Sequence, residues 1–130
     1  KRKMFKAITN EVQVAVETSY QTSRSDGFAD EHVFAYRITI TNLGDATVQL
    51  LRRHWFIVDS VEQKEVEGEG VVGQKPVLEP GESHEYISGC HLQTETGKMY
   101  GTYLFKRVVD GYQFKVRIPE FQLIVPFKNN

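Results

Sequence analysis

The chain has 130 residues, of which 40% are hydrophobic and 25% are charged, a composition typical of one soluble globular domain. Its formal net charge is −1, but four of the 16 basic residues lie within the first six positions, which leaves 12 basic against 17 acidic residues, or −5, over residues 7–130. An acidic body lacks the basic face that DNA or RNA binding needs, so the charge argues against a nucleic-acid partner.

The beginning of the chain is the most basic part. We expect residues 1–9 to form a disordered basic arm, followed by one domain over residues 10–127. Cys90 is the only cysteine, which excludes an intrachain disulfide and agrees with a reducing compartment. No apolar run approaches the roughly 18 residues that a membrane helix needs. We therefore expect a cytoplasmic protein without membrane insertion.

Alternation of apolar and polar residues dominates the chain. Residues 12–16, 34–40 and 112–118 each alternate with a period of two, which is typical of half-buried strands. Residues 50–58 also fit helical spacing at three positions, but the segment ends in a β-favouring Phe-Ile-Val run and is predicted as a strand. Because Pro119 interrupts the last apolar stretch, we predict a change of direction there and a separate final strand over residues 121–125.

These segments predict an all-β fold. Seven to eight short antiparallel strands without a convincing helix indicate an immunoglobulin/fibronectin III-like β-sandwich. A small closed barrel is the alternative architecture.

A glycine-rich stretch at residues 66–76 contains the spacing G-x-G-x-x-G, formed by Gly68, Gly70 and Gly73. In dinucleotide-binding proteins this spacing is followed by a helix whose N-terminus faces the phosphates. Pro76 and Pro80 exclude an ordinary helix after Gly73, so the dinucleotide interpretation fails.

Two interpretations of this glycine loop remain open. Backbone N–H groups of Gly68, Gly70 and Gly73, with Lys75 nearby, can form a concave site for phosphate, pyrophosphate or a nucleotide. In the alternative, the glycines adopt positive φ and the loop's apolar residues close the end of the sandwich. Those apolar residues are Val71, Val72, Val77 and Leu78.

Other chemistry finds little support. The histidines are scattered, at positions 32, 54, 84 and 91, and no pair has the spacing of a metalloprotease site. Cys90 and His91 are adjacent and would point to opposite faces of a strand, so they are poor partners for one ion. No nucleophile stands with a base and an orienting group. We therefore predict no metal site, no cofactor and no enzymatic activity.

A contact surface is the remaining functional prediction. Trp55, the only tryptophan, is predicted to fill the core, with a binding hot spot as the alternative. Arg53 and His54 would border this surface, together with Val71 and Val72 of the glycine loop. The chain is accordingly predicted to be an interaction module for an unknown protein partner, and weak self-association stays open.

Six blocks stand in order along the chain: Arg53-His54-Trp55, residues 66–73, residues 76–82, Tyr86-Ile87-Ser88-Gly89, residues 97–103 and Ile118-Pro119-Glu120-Phe121. Together they resemble the ApaG family, and the match runs from about residue 11 to 127. The resemblance implies a fibronectin III-like sandwich in a stand-alone bacterial protein. It also implies an association with cobalt tolerance and magnesium efflux, and related eukaryotic domains are expected to contact other proteins.

Overall fold

The computed structural model describes residues 3–26 and 31–126, and the rest of the chain is not described. The described residues form nine β-strands and one short 3-10 helix, Thr22–Arg24. Within them, no helix is long and apolar enough to cross a membrane. The strands are β1 (Lys3–Thr9), β2 (Val12–Tyr20), β3 (His32–Asn42), β4 (Val48–Asp59), β5 (Gln63–Glu69), β6 (Val77–Leu78), β7 (Ser83–Leu92), β8 (Thr96–Arg107) and β9 (Gln113–Ile124).

The strands form two antiparallel sheets, which confirms the predicted immunoglobulin/fibronectin III-like sandwich. One sheet has the order β1-β2-β3-β7 and the other β5-β4-β8-β9, with β6 beside β4. β9 contacts β1 and β2 across the sandwich. β5 and β7 are therefore the terminal strands on the opposite side. The count exceeds the predicted seven to eight because we predicted no strand at β1 or at the two-residue β6.

The prediction of a disordered arm is wrong for Lys3–Thr9, which forms β1. A two-residue turn at Asn10 and Glu11, with φ of 50° and 64°, reverses the chain, and β1 pairs with β2 along its whole length. Phe5 packs against the core, with its ring 6.0 Å from that of Phe121. Strand pairing and this apolar contact offset the entropy lost by ordering a basic segment. The first two residues lie outside the described part of the chain.

The prediction of a separate strand after Pro119 is also wrong, because β9 continues through it. The pairing register of β8 with β9 shifts between Met99 and Gly101, opposite Pro119. Such a bulge tolerates a residue that has no N–H to donate to the ladder. Phe121 and Leu123 therefore stay in the same strand, with their side chains in the core.

The predicted strand over residues 50–58 is confirmed as part of β4. Trp55 lies in its middle and is 4% exposed. Its ring packs against the rings of Tyr36, Tyr103 and Phe121, at centroid distances of 5.6, 6.4 and 5.9 Å. The prediction that Trp55 fills the core is confirmed.

Candidate functional site

A cavity of about 280 Å³ opens on the side of the sandwich where β5 and β7 are terminal. Both sheets contribute to its walls, and we refer to it as the inter-sheet cleft. Its lining is mostly apolar with a few polar groups, the composition that small-molecule and side-chain pockets share. The cleft is lined by Tyr36, Arg53, Trp55, Ile57, Val66, Val71, Val72, Tyr86, Ser88, Gly89 and Met99.

Tyrosine hydroxyls supply much of the polarity in and beneath the cleft. Tyr86 and Tyr103 are hydrogen-bonded through their hydroxyls, and Tyr36 is hydrogen-bonded to the side chain of Ser88. Burial raises the pKa of Tyr36, Tyr86 and Tyr103 above its ordinary value. At neutral pH these hydroxyls are protonated, so they can donate hydrogen bonds but cannot act as bases.

Arg53 connects the cleft to the glycine loop. Its Nη1 donates hydrogen bonds to the backbone oxygens of Glu69, at 2.8 Å, and Gly70, at 3.0 Å. A Cβ at position 68 would lie 2.8 Å from the Arg53 Nη2. A side chain at position 68 would therefore have to move the guanidinium away from its hydrogen bonds to Glu69 and Gly70.

The glycine loop reverses direction in a tight turn at Val72 and Gly73. Val71 and Gln74 exchange two backbone hydrogen bonds, of 2.8 and 3.0 Å, and both residues between them have positive φ, 46° and 76°. Positive φ at both central positions defines a type I′ turn, whose favoured sequence is Asn-Gly. A β-branched valine at the first of these positions is strained.

The apolar residues of the loop separate into two pairs. Val71 and Leu78 are buried, as expected if the loop closes the end of the sandwich. Val72 and Val77 are instead 64% and 50% exposed, which contradicts that expectation for these two residues. The I′ turn explains the exposure of Val72, because the backbone conformation of the turn directs that side chain out of the core. Val72 remains part of the cleft rim.

Two of the groups proposed for anion binding, the Gly70 N–H and the Lys75 ammonium, have partners within the protein. The N–H groups of Gly70, Val71 and Gln74 donate to backbone carbonyls. The Nζ of Lys75 lies 2.6 Å from the Glu69 carboxylate, and its hydrogen bond lowers the pKa of that carboxyl. An anion would have to displace Glu69 from Lys75. Anion binding by Gly68, Gly70, Gly73 and Lys75 stays a prediction.

Substitution by valine is expected to reduce stability by different amounts at Gly70 and at Gly73. Both have positive φ, as predicted, but a Cβ at Gly70 would overlap the Gln74 carbonyl oxygen, whereas a Cβ at Gly73 meets nothing within 4 Å. We expect Gly70→Val to lower the free energy of unfolding by about 3 kcal/mol and Gly73→Val by about 1–2 kcal/mol. Urea denaturation followed by circular dichroism measures both. Lys75→Ala, the exposed control, is expected to change stability by only a few tenths of a kcal/mol.

His54 does not share the cleft with the other predicted contact residues. Its Nε2 lies 2.6 Å from the Glu65 carboxylate and its Nδ1 lies 3.4 Å from that of Glu67. The search for histidine pairs in the sequence missed this group, because its members are 11 and 13 residues apart. The available signal was the alternating Glu-x-Glu of one strand, once that strand is paired with His54.

Among the described residues, the lining of the cleft places no general base beside Ser88. None of its lining residues is a histidine or a carboxylate, which would act as the base for Ser88. Burial raises the pKa of the Cys90 thiol to about 12, so this cysteine is protonated at neutral pH and a weak nucleophile.

The chain was compared with known families, proteins and structures. The ApaG domain model matches residues 22–107. A protein named ApaG from Brucella canis is 45% identical over 124 residues, which is 95% of each chain. One from Nitrosomonas eutropha is 46% identical over 117 residues, covering 89% of this chain and 91% of its own. The crystal structure of a Bordetella pertussis protein called ApaA superposes with a TM-score of 0.86 at 44% identity, covering 90% of this chain and 95% of that one. These names state no enzymatic activity.

Proposed function

The chain belongs to the ApaG domain family, and we propose that it is a non-enzymatic interaction module that binds an extended segment of a partner protein at the inter-sheet cleft. The observation that carries the proposal is that residues predicted separately from the sequence meet at one cavity. Of the five residues predicted from the sequence to form a contact surface, Arg53, Trp55, Val71 and Val72 line this one cavity. His54 lies apart from it, against Glu65 and Glu67.

The edges of the sandwich favour an extended ligand. β5 and β7 each end a sheet beside the cleft, and terminal strands offer backbone groups to an added strand. Val66 and Val72 expose apolar surface at the rim, and the cavity of about 280 Å³ accommodates an apolar side chain from the bound segment. Buried tyrosine hydroxyls then supply hydrogen-bond donors for a backbone carbonyl that enters with it.

In this proposal, the cellular role of the protein is determined by the partner that it binds. The association with cobalt tolerance and magnesium efflux that the resemblance implies is then an indirect effect of that partner. We place the protein in the cytoplasm because its one cysteine is a buried thiol, which suits a reducing compartment.

Substitution of Val72 provides the test. Aspartate tolerates positive φ better than valine does, so Val72→Asp adds a charge to the cleft rim without adding backbone strain. Val109, which is 84% exposed in the turn between β8 and β9, is the matched control. A photo-crosslinking residue is placed at position 72 or 109 in native cells, and the partner captured at position 72 is then purified. The affinity of the purified partner for each variant is measured through the fluorescence of Trp55.

We expect Val72→Asp to weaken binding of the purified partner about tenfold or more and Val109→Asp to leave it unchanged. Equal crosslinking from both positions, or equal affinity of both variants, would contradict the proposal. If only a second copy of this chain were captured, the cleft would mediate self-association, and the proposal of a different partner protein would be overturned.

A further inference from the structure

The outer face of the β4–β5 pair carries a group of three potential metal ligands, His54, Glu65 and Glu67. His54 and Glu67 are direct partners in the antiparallel register, and Glu65 precedes Glu67 by two residues on the same strand. Side chains two apart on a strand share a face, so pairing alone brings the three together. One ligand atom from each lies within 4.8 Å of the other two.

Among the described residues, no lysine or arginine forms an ion pair with the carboxylates of this group. Other carboxylates near it have such partners: Glu69 pairs with Arg52 and Lys75, and Glu62 pairs with Lys64. Within the described part of the chain, the ion pairs of Glu65 and Glu67 are with His54 alone. Two carboxylates thus share one imidazole. A divalent cation would balance both carboxylates.

We propose that His54, Glu65 and Glu67 bind a divalent transition-metal ion of the Zn²⁺ type. One imidazole nitrogen and two carboxylate oxygens match the ligands of such ions, whereas Mg²⁺ and Ca²⁺ favour oxygen ligands throughout. The side chains are between one-third and three-fifths exposed, so water completes the coordination from the solvent side.

A single ion bound by all three residues requires one carboxylate to move. Ligand atoms around a tetrahedral Zn²⁺, at bond lengths of about 2.1 Å, lie about 3.4 Å from one another. Glu65 lies 2.6 Å from the His54 Nε2 and Glu67 lies 3.4 Å from the Nδ1, so one carboxylate has to shift toward the nitrogen that binds the ion. One ligand atom from each residue already lies within 4.8 Å of the other two, which limits the size of that shift. The imidazole is also restrained by the Phe56 ring, whose centroid is 4.7 Å away. This contact reduces the conformational entropy that the imidazole loses on binding.

Calorimetric titration of the untagged, full-length protein with Zn²⁺ tests the site. We expect one saturable site, with affinity reduced about ten- to hundredfold in each of His54→Asn, Glu65→Gln and Glu67→Gln. Backbone amide NMR during the same titration should show its largest shifts at these three residues. Two matched controls, His91→Asn and Glu62→Gln, remove one exposed imidazole and one nearby carboxylate outside the group and should bind Zn²⁺ normally.

Two outcomes would overturn the proposal. One is the absence of saturable Zn²⁺ binding by the unsubstituted protein. The other is binding that the three variants retain, with NMR shifts elsewhere in the chain. Circular dichroism of each variant distinguishes loss of a ligand from loss of the fold.

Discussion

Replacing Gly101 by alanine is expected to lower the free energy of unfolding by about 3 kcal/mol or more, at or beyond the upper end of overpacking effects. Gly101 lies on β8 directly opposite Trp55, where a Cβ would overlap the His54 backbone oxygen and approach the Trp55 Cα to 3.1 Å. The obstacle is backbone, and β4 is held on both sides by β5 and β8, so it cannot retreat cheaply. Urea denaturation followed by circular dichroism measures the loss.

Gly44→Ala is the control for this substitution. The atoms nearest to a Cβ there belong to the side chain of Glu11, which can rotate away. We expect a change within about 0.5 kcal/mol, as at other surface positions. If Gly101→Ala were as mild as Gly44→Ala, the close approach of β4 and β8 at this point would be wrong.

Truncation of Trp55 is expected to cost about 3–5 kcal/mol of stability as Trp55→Ala, the range for large aromatic side chains in cores. The loss arises because three aromatic rings, those of Tyr36, Tyr103 and Phe121, lose their common neighbour. Thermal and urea denaturation by circular dichroism measure it. A loss below about 1 kcal/mol would contradict a core role for this residue.

Trp55→Phe separates stability from binding at the same position. Phenylalanine keeps much of the apolar contact, so we expect a folded protein that is about 1–2 kcal/mol less stable. If Trp55 is also a hot spot, partner affinity should fall in this folded variant, as measured by calorimetry. Unchanged affinity would leave Trp55 with its core role only.

Much of the fold could be read from the sequence because its signals are local. A period of two identifies which side of each strand faces the core, and Val14, Ile38 and Val116 are all buried as their alternation requires. Positive φ at Gly70 and Gly73 was likewise predictable, since a tight turn after a strand needs residues that adopt it. These features depend on neighbours within a few residues.

Features that depend on another strand could not be read in this way. β1 carries a weak pattern of its own and forms because β2 presents a complete edge to it. Pro119 breaks an isolated strand, but a bulge opposite Met99 and Gly101 accommodates it. Each outcome depends on a pairing partner that is distant in the chain, and pairing registers are not encoded by local propensity.

The sequence by itself determined the all-β class, the inward faces of the strands and the turn glycines, because backbone sterics and side-chain period act between near neighbours. Only the tertiary structure decided that Arg53, Trp55 and Val72 line one cleft while His54 lies beside two glutamates. Arg53 and His54 are neighbours in the chain, but adjacent side chains on a strand point to opposite faces of the sheet. Their side chains therefore lie on different surfaces. Their neighbours there are supplied by β5, β7 and the glycine loop, and the packing of the two sheets sets which of these meet.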